Sequence, residues 1–146
     1  MVIRDRICQW FATCCYVGYL PFAPGTWASL LAGILLYFFP FFHSLAVILF
    51  FAVAGLAAAE GARGELADPG YVVIDEFVGM LVTMTGHGLT LWNLSIGFIL
   101  FRAFDILKPY PVRKVERLPG ACGIIADDVL AGIFASVVLF AMGRLI

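Results

Sequence analysis

The stretch Val72-Val73-Ile74-Asp75-Glu76-Phe77-Val78-Gly79-Met80 sets two adjacent carboxylates inside an apolar run. The chain around it is 63% hydrophobic and 13% charged, against about 25% charge in ordinary soluble domains. Its mean hydropathy is +1.02. Burying one unpaired carboxylate costs several kcal/mol after relaxation. Ionisable residues in such surroundings are rare and mark functional sites with a definable partner. What Asp75 and Glu76 face therefore decides how the chain is organised.

Outward from that stretch the apolar runs predict an all-α, polytopic membrane helical bundle. Five membrane helices are expected, at Trp27–Phe39, Leu45–Ala59, Tyr71–Thr85, Leu91–Leu107 and Ile124–Ile146. Runs of about 15–20 residues reach roughly 22–30 Å, the short end of what crosses a hydrocarbon core of about 30 Å. Trp27–Phe39 is the weakest of them, with a re-entrant segment as its alternative. Pro24-Gly25-Thr26 reads as a turn with Thr26 as N-cap, and Lys108-Pro109-Tyr110-Pro111 as a helix stop. Polar loops are expected at 60–70 and 112–123. Arg4 and Arg6 precede an apolar run from Ile7 to Leu20 with no small-residue cleavage site after it. That run is expected to stay as a short N-terminal helix, embedded or interfacial. The length of 146 residues suits a single domain over residues 1–146.

Composition removes several function classes. No basic patch with interleaved aromatics points to nucleic acid. Cys8, Cys14, Cys15 and Cys122 form no C-x-x-C pair and have no histidine at zinc spacing, so they read as apolar thiols. His43 and His87 fall in expected turns and carry no assigned role.

Topology sharpens the picture. With the N-terminus in the cytoplasm and a side change at each helix, eight of the nine Lys and Arg fall at inner ends. Only Arg144 falls outside, in keeping with the positive-inside bias. All ten Asp and Glu also fall at inner ends, which that bias does not require. A shared polar site at the cytoplasmic membrane surface would explain them. The third helix would bring Asp75 and Glu76, and the fourth Arg102, Asp105 and Lys108. The fifth would bring Asp127 and Asp128 at its N-terminus, where the helix dipole favours anions. The 60–70 loop would add Asp68.

Such a gathering of acids needs positive charge among them, and Arg102 with Lys108 supplies only part. A hard divalent cation fits the remainder. Mg2+ takes carboxylate oxygens, waters and substrate phosphate, whereas the absence of a His or Cys ligand set argues against zinc. Acids around a cation, with Lys and Arg close by, suit phosphoryl chemistry. Asp75, Glu76, Asp105, Asp127 and Asp128 are the expected metal ligands or water-orienting groups. Lys108 and Arg102 are the expected phosphate binders, and Thr26 could offer backbone N–H groups to the same phosphate. Each feature has a structural counterpart: capping for Asp127-Asp128, an i,i+3 pair for Arg102 and Asp105, and a plain turn for Pro24-Gly25-Thr26.

Four ordered motifs then acquire a common meaning. They are Pro24-Gly25-Thr26-x-x-Ser29; Asp68-Pro69-x-x-x-x-Asp75-Glu76-Phe77-x-Gly79; Phe101-Arg102-x-x-Asp105-x-x-Lys108-Pro109-x-Pro111; and Gly123-x-x-x-Asp127-Asp128-x-x-Ala131-Gly132. In this order and spacing they resemble the phosphatidylglycerophosphatase A family over roughly residues 18–135. Ala28 stands where the family pattern has glycine before Ser29, and the tail after Asp128 is short. The resemblance implies a magnesium-dependent lipid phosphatase of the bacterial inner membrane, facing the cytoplasm. It would convert phosphatidylglycerophosphate to phosphatidylglycerol and phosphate. A Cys-x5-Arg phosphate loop and an Asp-x-Asp nucleophile motif are both absent, which excludes those phosphatase mechanisms. A head-group transferase would show a D-G-x-x-A-R run, also absent. The alternative is a cation-coupled transporter using the acids as a path. The roles left open are the general base, a possible aspartyl-phosphate nucleophile, the number of metals and the oligomeric state.

Overall fold

A computed structural model describes residues 3–65 and 69–145 of the chain. The expected Asp68 lies outside the described residues. The described elements are helical: α1 (Ile3–Ala12), α2 (Pro24–Phe38), α3 (Leu45–Ala62), α4 (Ile74–Thr83), α5 (Leu91–Leu107), α6 (Val112–Val115) and α7 (Ala121–Leu145). Short 3-10 turns stand at Val17–Tyr19 and Pro40–His43. The expected all-α class holds. Two helices, Leu45–Ala62 and Ala121–Arg144, are long and apolar enough to cross a membrane. The α2 helix is apolar but shorter.

The organising element is α4, the helix of the opening stretch. Ile74, Phe77, Val78, Met80 and Leu81 are all buried, on every side of its ten residues. It packs against α2, α3, α5 and α7, and most extensively against α7. Small residues set that approach. A Cβ built on Gly132 of α7 would lie 2.5 Å from the Gly79 carbonyl oxygen of α4. A Cβ on Gly79 would overlap the Phe101 ring of α5 and come 3.0 Å from the Asp128 carbonyl oxygen. Glycine at both positions lets the backbones meet, as small residues do between membrane helices.

The expected Tyr71–Thr85 helix begins only at Ile74, because the residues before it are committed elsewhere. The Val73 N–H donates to the Ala12 carbonyl (2.9 Å), and the Cys14 thiol lies 3.8 Å from the Val73 carbonyl. Tyr71 stacks on Tyr19 and donates its hydroxyl to the Ala62 carbonyl (3.0 Å). The N-terminal segment thus holds the entry to α4 outside the helix, a contact no local pattern announces.

The helices alternate in direction. The N-terminal ends of α2, α4 and α7 meet the C-terminal end of α5 around one cavity, together with Arg63 just beyond α3. At the other end His43 Nε2 lies 2.7 Å from the Met84 carbonyl, and His87 Nε2 lies 2.9 Å from Ser136 Oγ. Both histidines are structural ties there. Large apolar side chains point outward along the bundle, among them Trp27, Phe38, Phe50, Val53, Ile99 and Val137.

Candidate active site

The cavity at the first end measures about 790 Å³. Asp75, Glu76, Arg102, Asp105, Lys108, Asp127 and Asp128 all line it. These seven are the residues singled out at charged positions in apolar runs. Asp75, Asp105, Asp127 and Asp128 are each 9% exposed or less.

Each side chain is placed by its helix. Asp75 and Glu76 occupy the first turn of α4, where unsatisfied N–H groups and the dipole favour negative charge. Arg102 and Asp105 share one face of α5 and form the expected i,i+3 pair (2.6 Å). Arg102 also reaches within 3.8 Å of Glu76. Lys108 ends α5 in a left-handed conformation (φ 44°), which costs about 1 kcal/mol for a residue with a Cβ. That turn carries its ammonium between Asp127 (2.7 Å) and Glu116 (2.6 Å). Burial opposes the Lys108 charge, yet these two carboxylates prevail and raise its pKa above the ordinary lysine value.

Two expectations need correction. Helix α7 begins at Ala121, not Ile124, so Asp127 and Asp128 lie nearly two turns inside it. The dipole argument therefore belongs to Asp75 and Glu76. The start of α7 is held by Glu60 of α3, whose carboxylate accepts the Ala121 N–H (2.9 Å). Nor does Thr26 cap α2. The cap is Ala23 in a left-handed conformation (φ 44°), and Pro24 takes the first helical position. The Thr26 N–H is spent on the Ala23 carbonyl (2.9 Å), and Ala23, Pro24 and Gly25, rather than Thr26, line the cavity.

The structure also adds residues. Glu116 sits in a polar loop, where charge is cheap and carries no signal, but it partners Lys108. Gly25 looks like a turn residue in sequence, yet a Cβ there would overlap Glu76 Oε1. The backbone of α2 thus presses directly on a carboxylate oxygen.

The donor set fits a hard cation. One oxygen each from Asp75, Glu76 and Asp128 lies within 4.8 Å of the others. Glu76 Oε2, Asp128 Oδ2 and Asp127 Oδ1 are buried with no hydrogen-bond partner among the described residues. Buried carboxylate oxygens without partners are costly. A divalent ion held by Glu76, Asp128 and Asp75 would remove that cost for the first two. The polar cavity stays at this end: beyond Asp75 and Glu76, α4 continues with buried Val78, Met80, Leu81 and Met84 following it. A cation path through the bundle finds no support in that apolar interior.

Carboxylate oxygens that could hold a cation, set beside a fixed ammonium and guanidinium for an anion, suit phosphate ester hydrolysis. The chain is a phosphoric monoester hydrolase built on a helical bundle. The phosphatidylglycerophosphatase A family model matches residues 10–143, and the chain belongs to that family. Phosphatidylglycerophosphatase A of Haemophilus influenzae is 37% identical over 128 residues, covering 82% of this chain and 78% of that protein. Its Escherichia coli namesake is 34% identical over 134 residues, covering 87% and 78%. A Bacteroides thetaiotaomicron protein, provisionally named phosphatidylinositol-3-phosphatase, is 43% identical over 141 residues, 87% of each chain. No solved structure matches.

Proposed function

We propose that this protein is a Mg2+-dependent membrane phosphatase that removes the terminal phosphate of phosphatidylglycerophosphate to leave phosphatidylglycerol. The observation that carries this reading is the pairing of unpartnered buried carboxylate oxygens with Lys108 and Arg102 in one cavity. Asp75, Glu76 and Asp128 would hold the ion, with Asp127 and Asp105 completing the acidic wall. The ion supplies charge neutralisation at the phosphoryl group when bound.

The chain's own residues do the rest. Lys108 and Arg102 orient the phosphate and stabilise the charge that develops on its oxygens. A wall carboxylate accepts the proton of the attacking water as the new phosphorus–oxygen bond forms. The bond to the glycerol oxygen breaks, and that oxygen leaves protonated by the carboxyl group that took the water's proton. Asp127 is itself hydrogen-bonded to Lys108, so it aligns the ammonium as well as the wall.

For the setting, the reading is a five-helix membrane bundle in a bacterial inner membrane with the cavity at the cytoplasmic face. The outward apolar side chains and the confinement of acids to one end support it. The lipid tails then stay in the bilayer while the headgroup enters the cavity. The names of the relatives divide between two lipids, and both substrates are phosphomonoesters on a glycerophospholipid headgroup. The test is phosphate release by the purified protein from phosphatidylglycerophosphate and from phosphatidylinositol 3-phosphate. Preferential turnover of the first supports the reading; turnover of the second alone overturns the substrate assignment.

A further inference from the structure

A second cavity, about 440 Å³, opens beside the acidic one. Lys108, Arg113, Lys114 and Arg117 line it, and among the described residues no carboxylate does. Lys108 and Arg117 also line the acidic cavity, so the two spaces share a wall. The only acid within this run, Glu116, is turned to Lys108 on the other side. The groove stands on a fixed base. Val112 at the start of α6 is fully buried, and its N–H donates to the Pro109 carbonyl (2.7 Å). Arg113, Lys114 and Arg117 are exposed. Leu107 and Tyr110, 70% and 80% exposed, complete the lining with an apolar and an aromatic surface of the kind found at a lipid interface.

We propose that this basic groove binds the phosphodiester of the lipid substrate, the second phosphate that joins its headgroup to diacylglycerol. The inference rests on the phosphatase reading above and names the substrate feature that reading leaves unrecognised. A terminal monoester held by Lys108 and Arg102 leaves a diester a short linker away, still anionic and in need of a partner. Arg113, Lys114 and Arg117, which form no salt bridge among the described residues, supply one, and Arg does so with a planar fork. The positive-inside bias accounts for basic residues on this side of the membrane but not for a groove that abuts the acidic cavity. The site would therefore favour lipids with a monoester plus a diester over simple phosphomonoesters.

The test compares wild type with the double variant R113Q/K114Q, two exposed positions outside the acidic cavity. The substrate is glycerophosphoglycerophosphate, the deacylated and water-soluble form that keeps both phosphates, alongside the intact lipid in detergent micelles. The expected result is a KM raised about tenfold or more for both, with kcat retained, since contacts to a charged group are worth that much. An unchanged KM for the soluble substrate overturns the groove. So does a KM that rises only for the lipid, which would mean attraction to the micelle surface rather than to the diester. Failure of wild type to release phosphate from either compound would instead sink the phosphatase reading itself.

Discussion

At the scale of single residues, the acidic cavity was legible because charge inside apolar runs is expensive. Asp75, Glu76, Asp105, Asp127 and Asp128 stood out for that reason, and all line one cavity. Glu116 did not stand out, since a polar loop tolerates any charge. Thr26 is not the cap of α2, because Pro24 favours the first helical position, which pushes the cap back to Ala23. The residue roles are testable. Asp128→Asn removes a charge without changing shape, and turnover is expected to fall by about 10²–10⁴-fold. Thermal stability should hold or rise, because a buried carboxylate oxygen without a partner is relieved. Wild-type rates would remove Asp128 from the reaction. Gly25→Ala probes the close approach of α2 to Glu76. The overlap falls on the end of a flexible side chain, so Glu76 should shift and the fold persist. The Mg2+ concentration for half-maximal rate is expected to rise about tenfold or more. An unaltered Mg2+ dependence would show that Glu76 need not sit where it does.

At the scale of helices, α5 has the bounds its sequence suggests, Leu91–Leu107: the prolines after Lys108 are a local stop signal, and in the structure the Thr90 side chain caps the start by accepting the Asn93 N–H. The starts of α4 and α7 differ from expectation because both depend on distant partners. Ala12 and Cys14 hold the entry to α4, and Glu60 caps α7. The glycines of the α4–α7 contact carry a prediction of their own. Gly132→Val would force apart the two helices that present Asp75, Glu76, Asp127 and Asp128. Overpacking of this kind costs about 1–3 kcal/mol, so the melting temperature in detergent should drop and activity with it. Retained stability would mean that the helices are not held by that contact.

At the scale of the whole molecule, the alternation of helix ends agrees with the arrangement expected from the charge pattern. Acids and most bases gather at one end, and His43 and His87 tie the other. Hydropathy made the helical class legible. It did not foresee a central helix of ten residues, about 15 Å long, enclosed by its neighbours. Such a helix crosses no bilayer on its own and is carried by the longer helices around it. The proposed orientation predicts labelling from opposite sides. A cysteine at Gly88, beside the His87 turn, should react with an impermeant reagent from the periplasmic face once Cys15 is replaced. The exposed native Cys122 should react only in inverted vesicles. The reverse pattern would invert the bundle.

The central claim is that the carboxylates of α4 and α7 work through a divalent ion. The most direct measurement is phosphate release from phosphatidylglycerophosphate by metal-stripped protein in chelator, followed by titration with Mg2+. The account predicts no turnover in chelator, recovery on adding Mg2+, and no recovery in the Asp75→Asn variant. Full turnover in chelator would contradict it.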